Sequence, residues 1–240
     1  MGKRGKSYTI EVWGEYACFT SPMKVERWSY PFITPSAARG IFDAIFVNRH
    51  EFWWQIEGIE ILSEPKYIAL MRNEVKEKGP SESEIIKWMG DISEVRPIIA
   101  DGDKAALGTD QRGRTQRQTM ALRDVRYRLT ARINPWPNAP KNIQCYESQF
   151  QRRLDRGQNF TQPCFGCREF PAWWDSELST MPKWEQDIDA GWVLYDVFDL
   201  SRPGDVNDKA VVSLFRAKIE KGVLKVPPYE SVLVKKGVRT

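Results

Sequence analysis

The sequence predicts an α+β fold, and three observations carry that prediction. A strand–helix–strand pattern occupies the first part of the chain, and a long remainder reads as mostly antiparallel strands. Apolar residues make up 41% of the 240, with aromatics at 12%, which is enough to build a buried core and excludes general disorder. No apolar run approaches the 18 or so residues of a membrane span, so no membrane partner is expected. The basic segment Met1 to Lys6 lacks the apolar stretch of a secretory signal, so a cytoplasmic location is expected.

Each element has its own reason. Tyr8 to Phe19 is rich in aromatic and β-branched residues and partly alternates, which reads as a strand; Gly14 marks a bulge or a close backbone approach. Residues 21–35 read as a long loop. Thr34 can cap a helix and Pro35 suits its first turn; Ala37, Ala38, Ile41, Phe42 and Ile45 carry that helix to about Phe46. Phe52 to Leu62 and Tyr67 to Val75 read as strands, and Ser81 to Met89 as a short helix. Gly90 to Thr115 has little pattern and reads as an excursion. Leu122 to Ile133 alternates, with Val125, Tyr127, Leu129 and Ala131 on one face and Arg126, Arg128 and Arg132 on the other. Three prolines (Pro135, Pro137, Pro140) impose an extended loop before a helix from Ile143 to Arg156, which Gly157 ends. Cys164 to Phe170, Gly191 to Phe198 and Val211 to Ile219 read as further strands, the last turning back at Glu220-Lys221-Gly222 into Val223 to Val226.

The formal charge of +4 hides an uneven distribution. Between Arg112 and Arg156 lie eleven basic residues, ten of them Arg, and three acids, for a net +8. Arg presents a planar fork to phosphate oxygens and stacks on bases, so a polyanion, above all a nucleic acid, is the partner this stretch suggests; a solvated basic face is the alternative. Cys164-Pro-Phe-Cys167 has the spacing of a zinc half-site, but Cys18, Cys145 and the single histidine, His50, supply no second pair, so two ordinary thiols and no metal or cofactor are expected. Walker, dinucleotide-binding and zincin motifs are absent from the sequence. Ten tryptophans include the pairs Trp53-Trp54 and Trp173-Trp174; in a strand one of each pair faces the core, and the alternative to packing is base stacking.

Several segments, in order, resemble one family. They are Val12-Trp13-Gly14-Glu15-Tyr16-Ala17-Cys18-Phe19-Thr20, Met23-Lys24-Val25-Glu26-Arg27, Pro35-Ser36-Ala37-Ala38-Arg39-Gly40-Ile41, Arg72-Asn73-Glu74-Val75, Leu122-Arg123-Asp124-Val125, Arg152-Arg153, Arg156-Gly157-Gln158 and Gly166-Cys167-Arg168-Glu169-Phe170-Pro171. They resemble the Cas-five family of subtype I-C CRISPR systems, part of the RAMP superfamily, across about residues 8 to 175. The resemblance implies a ferredoxin-like, RNA-recognition-type domain over 1–165, with an inserted loop at about 90–118, and a β-rich C-terminal part over 166–240. It implies a subunit of a Cascade surveillance complex in antiviral defence that holds the 5′ handle of CRISPR RNA. The backbone and large subunits are then partners, and target DNA is met only through the complex. It also implies an alternative activity, metal-independent endoribonuclease cutting of precursor RNA. The family pattern places Tyr or His where this chain has Phe46, and Lys-His where it has Lys141-Asn142, so Lys141 alone keeps its catalytic place and weak or absent cutting is expected. His50, Tyr146 and Cys145 are the nearby groups able to replace the missing ones. Lys24, Arg27, Arg39, Arg72, Arg123, Arg152, Arg153 and Arg168 are the expected RNA contacts.

Overall fold

Alternation of Tyr8, Ile10 and Val12 with their neighbours produces the first strand; these three side chains are buried, Tyr8 against Phe150 of a helix. The structure, a computed structural model, describes residues 5–20, 27–101, 108, 113–204 and 209–237. Its elements are β1 (Ser7–Ala17), β2 (Arg27–Trp28), α1 (Pro35–Ile45), β3 (Phe52–Ile61), β4 (Lys66–Val75), α2 (Glu82–Gly90), β5 (Arg114–Pro135), α3 (Ile143–Asp155), β6 (Trp173–Asp175), β7 (Ile188–Asp196), β8 (Ser213–Glu220), β9 (Val223–Lys225) and β10 (Val234–Lys236).

The sheet runs β10-β8-β9-β3-β5-β1-β6, with β2 and β4 also on β5 and β7 on β8. β1 lies antiparallel to β5, from Ser7 opposite Arg132 to Ala17 opposite Leu122. β3 lies antiparallel to the other side of β5. Helix α1 starts as its sequence dictates: Thr34 Oγ1 accepts from the Ala37 amide and Pro35 fills the first turn. Its buried face joins an aromatic core in which Phe42 and Phe150 meet Trp54 at 4.9 and 4.5 Å between ring centres, with Tyr8 4.9 Å from Phe150. Gly14 permits a close approach, because a Cβ there would lie 2.8 Å from the Pro171 carbonyl and 2.9 Å from the Phe165 ring. Between β8 and β9, Lys221 and Gly222 both take positive φ, the two-residue turn that matches strand twist.

The chain forms two compact units, Ala69–Thr119 and the remainder. Within Ala69–Thr119, helix α2 closes a capping box between Ser81 and Glu84 and buries no residue; Met89 is 82% exposed.

The structure corrects several expectations. Cys164 to Phe170 is not a strand: it holds one isolated bridge, Cys164 to Pro171, and the pairing strand is β6. β5 starts at Arg114, eight residues before the expected Leu122. β2 falls in the expected loop, and β10 had no strand signal. Trp53 and Trp54 are both buried, because β3 is covered on both faces: Trp54 packs against the helices and Trp53 lies 6.3 Å from Tyr229.

Candidate nucleic-acid interface

The proline-rich loop after β5 and the start of α3 line an open groove of about 810 Å³, with Arg132, Asn134, Trp136, Lys141, Asn142 and Gln144 on its walls. Trp136 fixes this loop to the turn before β3. Its indole donates to the Arg49 carbonyl at 3.0 Å, and its amide donates to the Glu51 carbonyl at 3.0 Å. Lys141 Nζ stands 3.7 Å from Glu51 Oε2 and stays half exposed. Asn142 is the N-cap of α3, yet its side chain makes no capping bond and lines the groove.

Behind Lys141 lies a small titratable cluster. Tyr146 Oη and Glu51 Oε2 are buried, and neither meets hydrogen-bond geometry with a partner. They are still close enough that the Tyr146 hydroxyl is the main influence holding the Glu51 carboxyl below its ordinary range, with Lys141 and Asn48 adding to it. Burial first, then the Glu51 carboxylate, pushes the Tyr146 hydroxyl up to about 12. Tyr146 therefore keeps its proton at neutral pH and is a donor, not a base. Phe46 is 7% exposed, with its ring 5.1 Å from Phe52 and the Arg153 guanidinium 5.5 Å above it. It is a core aromatic at the position where the family pattern has a titratable group. His50 and Cys145 are exposed.

The expected cation contacts fall in different surroundings. Arg39 is mostly covered, with its side chain 12% exposed: Asp196 takes its Nε and Nη2 at 2.7 and 3.0 Å and Asp43 takes Nη1 at 2.7 Å. Its fork is filled by carboxylates, and it ties α1 to β7. Arg153 donates to the Ile45 carbonyl at 3.1 Å and covers Phe46, which makes it a latch between helices. Arg72 sits 3.9 Å from Glu74, and Arg123 sits 3.0 Å from Asp124, whose φ is 53°. Arg152 and Arg156 are exposed on the last turn of α3. Arg168 lines a second groove of about 550 Å³ with Ala37, Gly40, Thr161 and Cys164. Burial, then Cys167, pushes the Cys164 thiol up. Arg27 is half-buried in β2, and Lys24 lies outside the described residues.

The alternating face of β5 also differs from the expectation. Arg126 and Arg128 both bind the Glu11 carboxylate, at 2.6 and 3.1 Å, and Arg128 also donates to the Ser179 and Met181 carbonyls. Arg132 lies 3.5 Å from Glu57. Three cations of the +8 stretch thus face acids from strands distant in sequence. The residues that the sequence reading missed, Glu11, Glu51 and Trp136, have no local motif; adjacency to His50 was the only signal for Glu51.

Fold and groove together define a class of protein: a curled antiparallel sheet backed on one face by two helices, with a basic, open groove at the start of the second. A family model described as CRISPR-associated protein (Cas_Cas5) matches residues 7–227. A protein of Thermus thermophilus named CRISPR pre-crRNA endoribonuclease Cas5d is 36% identical over 231 residues, covering 91% of this chain and 90% of its own length. A protein of the same name from Mannheimia succiniciproducens is 35% identical over 239 residues, with 95% and 97% covered. The chain belongs to the CRISPR-associated Cas5 family, in its Cas5d branch, and the subtype I-C resemblance agrees with that. Among solved structures, a CRISPR-associated protein aligns with TM-score 0.63 at 16% identity, covering 98% of this chain and 99% of that one. A functionally uncharacterized protein from Streptococcus mutans aligns with TM-score 0.61 at 18% identity, covering 98% and 100%. These two speak to the fold alone.

Proposed function

We propose that this protein is the CRISPR RNA-binding subunit of a type I-C Cascade-like surveillance complex, holding the 5′ handle of the guide and cutting precursor RNA weakly or not at all. Family membership and the relatives' names support the RNA as ligand. The observation that carries the reading is what stands at the positions where the family pattern has proton-transfer groups. Lys141, on the groove wall, stays half exposed, whereas Phe46 is a core ring and Asn142 a helix cap.

Cutting without metal has the ribose 2′-OH attack the adjacent phosphorus, with one group taking its proton, another protonating the leaving oxygen and a cation meeting the developing charge. Lys141 fits the last role. Loss of each proton-transfer group typically costs about 10²–10⁴-fold in rate. A ferredoxin-like core supports the same reading. β6-β1-β5-β3 is the order expected when strands and helices alternate as strand, helix, two strands, helix, strand, and α1 and α3 follow β1 and β5. We read 1–165 as this RNA-binding part, with its fourth strand β6 lent by the segment that follows, 166–240 as the β-rich part, the backbone and large subunits as protein partners, and the cytoplasm as its place.

The second reading, an active endoribonuclease, is favoured by the Glu51–Tyr146–Lys141 cluster at the groove. One assay separates the two: purified protein is incubated with its repeat RNA in EDTA. Tight binding without a cut is expected. A single site-specific cut that Lys141→Ala abolishes would establish the second reading instead.

A further inference from the structure

The sheet face opposite α1 and α3 carries a row of three side chains drawn from three strands. In the register of β1, Trp13 stands opposite Trp173 on β6 and opposite Arg126 on β5. Tyr8, Ile10 and Val12 point to the helices, so Trp13 and Glu11 belong to the other face. Trp173 is 57% exposed, and Trp13 is half-buried. The Arg126 guanidinium lies 5.0 Å from the centre of the Trp13 ring. Its Nε is held by Glu11, which fixes the plane of the fork, and the side chain remains one-third exposed.

An indole more than half in water contributes little to a core, so packing does not account for Trp173. Two indoles opposite each other in register, one exposed and the other lying under a fixed guanidinium, offer a flat apolar surface for a base and a cation for its neighbouring phosphate. Aromatic side chains on a sheet face bind unpaired bases in this way, largely without regard to sequence. We propose that Trp173, Trp13 and Arg126 form a stacking step for one unpaired base of the bound RNA. This proposal rests on the RNA-binding reading above and adds to it a second place, on the opposite face of the sheet from the helices.

The test uses the full chain and a repeat-derived RNA carrying 2-aminopurine at unpaired positions. Binding by the unaltered protein is measured first, and its absence overturns the RNA-binding reading and this proposal with it. Given binding, Trp173→Ala is expected to weaken affinity roughly ten-fold, in line with removal of one stacked base. The slope of log affinity against log salt should stay the same, because every phosphate keeps its cation. Quenching at one 2-aminopurine position should disappear in that variant. Trp173→Phe should keep the quenching and affinity within about three-fold, since a smaller ring still stacks. Unchanged affinity and quenching in Trp173→Ala would overturn the proposal alone and assign the exposed indole to a protein contact. Equal weakening in the Ala and Phe variants would overturn it as well, because damage to the edge strand, not stacking, would then be the cause.

Discussion

Glu11 decides what the cationic strand face does. It is 1% exposed and accepts from Arg126, from Arg128, and from the Ser179 hydroxyl and amide at 2.7 and 3.1 Å. Burial alone would raise its carboxyl; the Ser179 bonds and the two guanidinium groups outweigh that and hold it below the ordinary range. A lowered folded value means that the stabilisation is present above the unfolded carboxylate value, about 4.3, and is lost as pH falls through the folded one. Glu11→Gln should therefore cost about 3 kcal/mol at pH 7, the low end for a broken buried pair because Arg126 is partly exposed. Urea unfolding checks this, and the gap to the unaltered protein should narrow as pH falls below about 4. Equal stability at pH 7 would refute the role. Such a residue is illegible in sequence: it stands 115 residues from Arg126, and only the strand register makes them neighbours.

At the scale of elements, local signals carried most of the reading. Thr34 and Pro35 define the start of α1, and Gly157, at φ 59°, ends α3 where the sequence placed it. Thr34→Ala should lower stability by about 1 kcal/mol, whereas Thr34→Ser should restore most of it, both measured by thermal unfolding. Reading failed where pairing, not propensity, makes the strand. β6 is three residues long and exists because β1 offers it an edge; the aromatic-rich Cys164 to Phe170 looked more like a strand but forms a turn. β5 extends to Arg114 through Thr115-Gln116-Arg117-Gln118, a polar run with no buried face to give it period. The groove was half legible. Lys141 and Asn142 were found by resemblance, while Trp136 and Glu51, which hold them in place, act through carbonyls and a carboxylate that no spacing announces.

Across the whole molecule, the count of cations overstates the surface available to a polyanion. Arg39, Arg126, Arg128 and Arg132 face carboxylates, and Arg153 serves the core. Arg152 and Arg156 on the end of α3 are the better candidates for phosphate. Replacing both with Ala should weaken RNA binding and reduce the salt slope by about 0.7 for each single-strand phosphate that is no longer neutralised. Filter binding over a range of salt reads this directly, and an unchanged slope would remove them from the interface.

The tie between Arg39 and Asp196 also bears on how the chain comes to be made. Its two ends are 157 residues apart. During synthesis, helix α1 leaves the ribosome long before β7 exists, with a cation whose second carboxylate has not been translated. β3 likewise waits for β9 to cover its free edge. Contacts of such separation form late and slowly. The first half of this protein thus emerges with an open edge and a half-matched charge, and closure of the fold belongs to the finished polypeptide.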